Sequence, residues 1–212
     1  MVITNLVAKP LNRVLLYCDD EAISQISLNS IAKYDLYINK ELTQEDLEEI
    51  LHYDLSQSFL EKSIRYCHIS PKTEKQFRMH LDKIVKDNDI NIDTNILDSI
   101  IEDVIEKLKQ YDYINDEKYA EEFISSRIKN KPKGKQVLLY ELISKGIDKD
   151  IASQAIDRTS LDEYSLMKES FYKKYKTNTL NYDDSKKISF LQRNGFSWDL
   201  IEQFIKESRD NQ

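Results

Sequence analysis

The sequence is poor in the residues that interrupt regular structure, with three glycines and three prolines among 212 residues. An all-β sandwich or barrel needs turn residues at short intervals, so this scarcity argues against that class. Cysteine is also rare: Cys18 and Cys67 stand far apart without metal-ligand spacing, which predicts two free thiols in a reducing compartment. The three histidines are dispersed, so we expect no metal site.

Long apolar runs are missing as well. No segment approaches the roughly 18 apolar residues that span a bilayer. The opening stretch MVITNLVAKPLNRV lacks the regions of a signal peptide, so we expect a soluble, cytoplasmic protein. The net charge of −7 excludes a general duplex-DNA binder unless the basic residues gather in one place. No nucleophile–base pair has a supporting context, so we expect neither an enzyme nor a cofactor.

Apolar periodicity is what the sequence does have. VITNLVA and RVLLYCD predict the two strands of a hairpin, followed by a short helix in SLNSIAKYDL. TQEDLEEILHYD predicts a helix with Thr43 as its N-cap, and SQSFLEKSIRYCHI predicts a further helix. From about residue 54 the apolar spacing is helical throughout. These short helices must pack on one another, which predicts a mainly α fold.

Two pairs of segments align within the chain. GIDKDIASQAI at 146–156 matches GFSWDLIEQFI at 195–205 without a gap. SPKTEKQFRMHL at 70–81 matches KPKGKQVLLYEL at 131–142. A period of about fifty to sixty residues indicates a helical repeat array.

The scarce glycines and prolines fall at equivalent repeat positions. Gly146 and Gly195 share one position, where we expect each to end a helix in the left-handed conformation. Pro71 and Pro132 share another, where we expect each to be the first helical residue, with Ser70 as N-cap before the first.

We therefore predict three tandem three-helix repeats in an elongated curved array, after a small extension that contains a β-hairpin. The predicted boundaries are 1–53 for the extension and 54–112, 113–158 and 159–212 for the repeats. The first repeat departs from the pattern, because it lacks the glycine and has a longer second connection at residues 85–95.

Residues 111–156 resemble the middle repeat of the RecX family, bacterial regulators of the RecA recombinase. The resemblance rests on the turn YIND, on Tyr119, Ala120 and Phe123 along a helix, on Arg127, on the junction KPKG and on a helix that ends with KGI. RYCHISPKTEKQFRMHL is similar to the family's first repeat. The N-terminal region resembles the small β-containing extension of its Gram-positive members.

This resemblance implies a regulator without catalytic chemistry. Family members bind the RecA filament on single-stranded DNA, lodge in its groove, and lower its ATPase and strand-exchange activity; some also bind DNA directly. The expected partners are the filament and single-stranded DNA, with no membrane, and the expected state is a monomer. The alternative is a helical module that binds single-stranded nucleic acid without a recombinase.

Two basic patches are the candidate binding residues. The first contains no acid and consists of Arg127, Lys129, Lys131, Lys133 and Lys135. Lysines at a helix start oppose the macrodipole, so an anion from DNA or from an acidic filament surface would explain them. The second patch alternates with aromatic residues that can stack on bases, and its members are Lys168, Tyr172, Lys173, Lys174 and Lys176. For both patches the alternative is a solvated helix face, with Phe171 and Tyr175 in the core.

Overall fold

The computed structural model describes residues 1–88, 90 and 92–210. The fold is mainly α-helical with a small antiparallel sheet at the N-terminus, which confirms the predicted class. The strands are β1 (Ile3–Lys9), β2 (Arg13–Cys18) and β3 (Glu21–Ser27). The helices are α1 (Leu28–Lys33), α2 (Gln44–Cys67), α3 (Glu74–Asp87), α4 (Thr94–Gln110), α5 (Asp116–Asn130), α6 (Lys135–Ser144), α7 (Lys149–Arg158), α8 (Glu163–Tyr175), α9 (Ser185–Arg193) and α10 (Trp198–Asp210). The longer connection predicted at residues 85–95 includes Asp89 and Asn91, which lie outside the described residues.

The sheet has one strand more than the predicted hairpin. β2 pairs antiparallel with both β1 and β3. The turn from β2 to β3 is made by Asp19 and Asp20, whose φ angles are +50° and +66°. β3 is an edge strand in which Ile26 alone is fully buried, so its sequence EAISQIS lacks the apolar alternation that indicates a strand. One face of the sheet packs on α2 through a cluster that includes Ile3, Leu16, Ile26, Leu47 and Ile50.

The two helices predicted on either side of residue 54 are one continuous helix, α2, so the predicted break is wrong. Its N-cap is Thr43 as predicted, in a capping box with Asp46. Asp54 is buried, and its carboxylate accepts hydrogen bonds from Arg13 at 2.9 Å and from the Ser27 N–H at 2.7 Å. Asp54 therefore faces the strands, and the helix continues across the position where we placed the end of the extension.

The prolines do not start helices, and this prediction is wrong. α3 begins at Glu74 and α6 at Lys135, so Pro71 and Pro132 each lie three residues before the first helical residue. Ser70 is therefore not the N-cap of α3. Proline fixes φ near −65°, which suits the extended approach to a helix as well as its first turn. The equivalence of the two prolines is retained, because both precede their helices by the same number of residues.

The glycines end helices as predicted. Gly146 follows α6 with φ +95°, and Gly195 follows α9 with φ +84°. Both values lie in the left-handed region, where a side chain would strain the backbone. The C-cap residues that precede them are Lys145 and Asn194.

The chain divides into two compact units. The first consists of Met1–Ser70 and Arg78–Tyr113, and the second of Pro71–Phe77 and the chain from Ile114 onward. The second unit has two hydrophobic clusters. One lies on α5 to α7 and includes Ala120, Ile124, Leu138, Leu142 and Ile156. The other lies on α8 to α10 and includes Met167, Phe171, Leu191, Phe204 and Ile205.

Candidate partner-binding groove

The segment KPKG connects α5 to α6 and is packed on the turn after α9. Pro132 and Gly134 are buried, and the Gly134 N–H donates to the Asn194 carbonyl at 2.9 Å. A Cβ atom on Gly134 would lie 2.1 Å from the Gly195 carbonyl oxygen. Glycine is therefore required here because two backbones approach each other closely. The segment is neither a flexible linker nor a phosphate loop.

The same junction occurs a second time in this unit. At residues 71–77, the Thr73 hydroxyl donates to the Lys145 carbonyl at 2.8 Å, as the Gly134 N–H does to the Asn194 carbonyl. A Cβ atom on Gly146 would lie 2.3 Å from the Cβ atom of Lys75. In each junction, the residue just before one helix donates to the C-cap carbonyl of the equivalent helix in the next three-helix segment. The first junction joins α3 to α6 in this way, and the second joins α6 to α9.

A carboxylate completes each junction. The Glu74 N–H donates to Asp116 at 3.1 Å, and the Lys135 N–H donates to Glu163 at 2.8 Å. Asp116 and Glu163 are the first residues of α5 and α8, so they too are equivalent. At α6, the anion that the sequence led us to expect at the helix start is the chain's own Glu163.

The two predicted basic patches meet in one groove. Its cavity volume is about 310 Å³, and it lies between the KPKG segment, α8 and α9. Its lining residues are Asn130, Lys131, Pro132, Lys133, Ser170, Lys173, Lys174, Phe190 and Asn194. We call it the junction groove. Four of the ten predicted site residues line it, two from each patch: Lys131, Lys133, Lys173 and Lys174.

Two of these lysines are tied to the walls of the groove. Lys133 donates to the side-chain oxygen of Asn194, which fixes it across the junction. Lys173 pairs with Glu169 at 2.6 Å and donates to the Lys129 carbonyl at 3.2 Å. These contacts position the amino groups but neutralise only the charge of Lys173.

The other two lysines are exposed. Lys131 is the C-cap residue of α5, and its side chain faces solvent. Lys174 places its amino group 4.1 Å from the centroid of the Phe190 ring, a cation–π contact that leaves the charge in place. Anionic groups entering the groove would therefore meet Lys131, Lys133 and Lys174 beside an aromatic ring.

Arg127 is a structural contact and does not line the groove. Its guanidinium pairs with Glu141 at 2.7 Å and lies 4.9 Å from the centroid of the Phe123 ring. Both charged side chains are about one-third exposed or less. The pair joins α5 to α6 within one three-helix segment.

Lys168 is also engaged internally. It pairs with Glu207 at 2.6 Å, and the same carboxylate accepts a hydrogen bond from the Tyr164 hydroxyl. The Lys168 ammonium, and then the Tyr164 hydroxyl, lower the pKa of Glu207. Burial, and then the bond to Glu207, raise the pKa of Tyr164. This cluster braces α8 against α10.

The remaining predicted residues lie around the groove without lining it. Lys129 and Lys176 are exposed, and Lys176 ends α8 in the left-handed conformation with φ +55°. Tyr172 is 49% exposed, and the Lys176 amino group lies 5.7 Å from its ring centroid. Lys135 is the one patch lysine in the first turn of α6, so the macrodipole argument applies to it alone. Phe171 is fully buried in the core, and Tyr175 is half-buried against the same cluster, as the alternative interpretation of the second patch has them.

Two further properties limit the chemistry of the described residues. Within residues 1–88, 90 and 92–210, no three His, Cys, Asp or Glu side chains are grouped so that they could hold a metal ion. In the same part of the chain, no helix is long and apolar enough to cross a membrane.

Comparison with known sequences gives one consistent family. The model for the second three-helix domain of RecX matches residues 115–156, which contain α5 and α6 and nearly all of α7. A regulatory protein RecX of Clostridium acetobutylicum is 29% identical over 207 residues, covering 94% of this chain and 91% of the relative. Its counterpart in Bacillus pumilus is 28% identical over 204 residues, covering 94% and 74%.

Solved structures agree with the sequence comparison. A crystal structure of a regulatory protein RecX matches with a TM-score of 0.67 over 97% of this chain and 98% of the other, at 20% identity, which shows the fold. RecX from Lactobacillus salivarius matches with a TM-score of 0.53 at 27% identity, covering 73% and 96%.

Proposed function

The chain belongs to the RecX family of regulatory proteins, and from that premise we propose that it binds a RecA filament on single-stranded DNA. Bound there, it mainly lowers the recombinase's ATP hydrolysis and strand exchange, and so regulates recombination and DNA repair. It acts as a cytoplasmic monomer and performs no catalysis of its own. Relatives such as those of Clostridium and Bacillus are named regulatory proteins, which accords with this role.

The junction groove is the observation that carries the proposal. A chain of net charge −7 brings Lys131, Lys133 and Lys174 together in one place, with Phe190 beside them. A local cluster of this kind attracts an anionic partner although the whole chain is acidic. Filament DNA or an acidic face of the filament supplies such an anion.

Charge reversal in the groove tests this assignment. We expect the wild-type protein to lower the single-stranded-DNA-dependent ATPase of the cognate recombinase. The double variant Lys131→Glu with Lys174→Glu should need about tenfold more protein for the same inhibition, because the groove then repels anions. This corresponds to a loss of about 1.4 kcal/mol in binding free energy. Both side chains are exposed, so the melting temperature should change little.

Lys149→Glu with Lys206→Glu is the matched control. Both lysines are exposed, lie outside the groove lining, and give the same change in net charge. The control should inhibit as the wild type does. Unchanged ATPase at several-fold excess of wild-type protein contradicts the proposed function, whereas equal inhibition by the groove variant contradicts only the groove.

The second candidate function is a nucleic-acid-binding module that needs no recombinase. The aromatic side chains of Tyr172 and Phe190 beside lysines favour it, because rings and cations together bind single strands. Its affinity for bare single-stranded DNA would fall steeply with salt, with a slope of about 0.7 per phosphate contacted. The groove variant would then bind bare DNA more weakly and show a shallower slope.

A further inference from the structure

The turn between β1 and β2 carries an unusual residue. Leu11 is 93% exposed, and its φ angle is +60°. Bulky apolar residues rarely adopt this left-handed conformation, which asparagine and glycine tolerate. Asn12, the next residue, has φ +58° and is a common residue at such a position. Neither burial nor turn geometry explains a leucine at residue 11.

The turn is held firmly on α2. Arg13, directly after it, pairs with the buried carboxylate of Asp54 at 2.9 Å. The same carboxylate accepts hydrogen bonds from the Ser27 N–H and the Ser30 hydroxyl, each at 2.7 Å. The Leu28 N–H donates to the Asn12 carbonyl at 3.2 Å. These contacts fix the backbone on the C-terminal side of Leu11. Little backbone conformational entropy is therefore lost when Leu11 binds a partner.

A groove of about 420 Å³ separates Leu11 from the outer face of α2. Lys62 and Arg65 line it, together with Glu61. Glu61 and Arg65 are 3.7 Å apart and are 62% and 73% exposed, so their pairing is weak. The charge of Asp54, which also borders the groove, is already balanced by Arg13. Two cations against one exposed carboxylate make the groove locally basic, although residues 1–53 hold nine acidic and four basic residues.

We propose that this groove docks an acidic segment of a partner protein, with one apolar side chain of that segment packed on Leu11 and its carboxylates bound to Lys62 and Arg65. An aliphatic side chain offers no ring on which a base could stack, so a single-stranded nucleic acid would gain no stacking contact from Leu11. An extended anionic membrane would also face the acidic residues of the extension, whereas a short acidic segment would contact the groove alone. The stems of Lys62 and Arg65 extend the apolar contact while their charged ends select for acids. This docking site is separate from the junction groove and does not rest on the proposed function.

A peptide titration of the full chain tests the site. The probe is the capped peptide acetyl-Asp-Glu-Leu-Asp-Glu-amide, followed by two-dimensional NMR of the ¹⁵N-labelled protein. We expect saturable shifts at Leu11, Lys62 and Arg65 with a Kd on the order of 1 mM. Peptides with serine in place of leucine, or with lysines in place of the acids, should bind about tenfold more weakly or not at all.

Leu11→Asn is the decisive variant, because asparagine keeps the turn and removes the apolar side chain. It should lose about tenfold in peptide affinity while its melting temperature stays equal or rises. Lys62→Glu with Arg65→Glu should lose as much. The control Lys83→Glu with Lys86→Glu should lose nothing, because both lysines are exposed on α3 and lie outside the groove lining. Absence of saturable shifts, equal binding by Leu11→Asn, or a lower melting temperature for that variant would overturn the proposal. So would shifts that depend on protein concentration alone, because they would identify a second copy as the occupant.

Discussion

At the scale of single residues, the basic side chains of the second compact unit have two different roles. Arg127 and Lys168 have carboxylate partners, Glu141 and Glu207, and hold helices together. Lys131 and Lys174 extend towards the junction groove and keep their charge. A lysine in the sequence does not reveal which role it has, because the carboxylate partner lies 14 to 39 residues away.

The Glu207 cluster predicts a pH-dependent stability. Because the pKa of Glu207 is lower in the folded chain than in the unfolded one, its ionised form stabilises the fold above the unfolded value of about 4.3. This contribution is lost as the pH falls through the folded pKa. At pH 7 the wild type should therefore be more stable than Glu207→Gln, and the difference should shrink as the pH falls below the unfolded value.

Urea unfolding of both proteins at several pH values measures this difference. Glu106→Gln is a suitable control, because Glu106 is exposed on α4 in the other unit. A stability difference between wild type and Glu207→Gln that stays constant down to pH 3 would show that the carboxylate is not held in its ionised form.

At the scale of elements, the sequence predicts features that depend on near neighbours. The Thr43 cap and the helix ends at Gly146 and Gly195 were predictable, because each rests on residues within one or two turns. The edge strand β3, the continuity of α2 and the true starts of α3 and α6 were not predictable. They depend on partners distant in sequence, such as the strand contacts of Asp54.

The candidate site also combines features that depend on near neighbours with features that depend on residues distant in sequence. Both basic patches are visible in the sequence, but their convergence depends on the packing of Gly134 against Gly195. The acidic first residues of α5 and α8 were a signal for the repeated junction, because both occupy the same position in the alignment of helices.

Gly134→Ala tests the junction. The added methyl group would meet the Gly195 carbonyl, so the backbones must separate. We expect the free energy of unfolding to fall by about 1–3 kcal/mol, together with weaker inhibition of the recombinase. Gln136→Ala, at an exposed position of α6, should change the free energy of unfolding by less than about 0.5 kcal/mol. Equal stability of both variants in urea unfolding would contradict the close backbone contact.

At the scale of the whole molecule, net charge and local charge have opposite signs. The chain carries −7, and its exposed groove lysines belong to one junction of the second unit. On the proposed function, long-range repulsion would weaken association with bare DNA, whereas a filament would offer protein contacts besides the anion. We therefore expect a preference for DNA that already carries recombinase.

A direct binding measurement tests this central claim. Fluorescently labelled protein is titrated with single-stranded DNA alone and with the same DNA coated by the cognate recombinase, near 0.15 M salt, where the Debye length is about 8 Å. We predict strong binding to the coated filament and weak binding to the bare strand. Equal affinity for both, or no binding to the filament, would contradict the account.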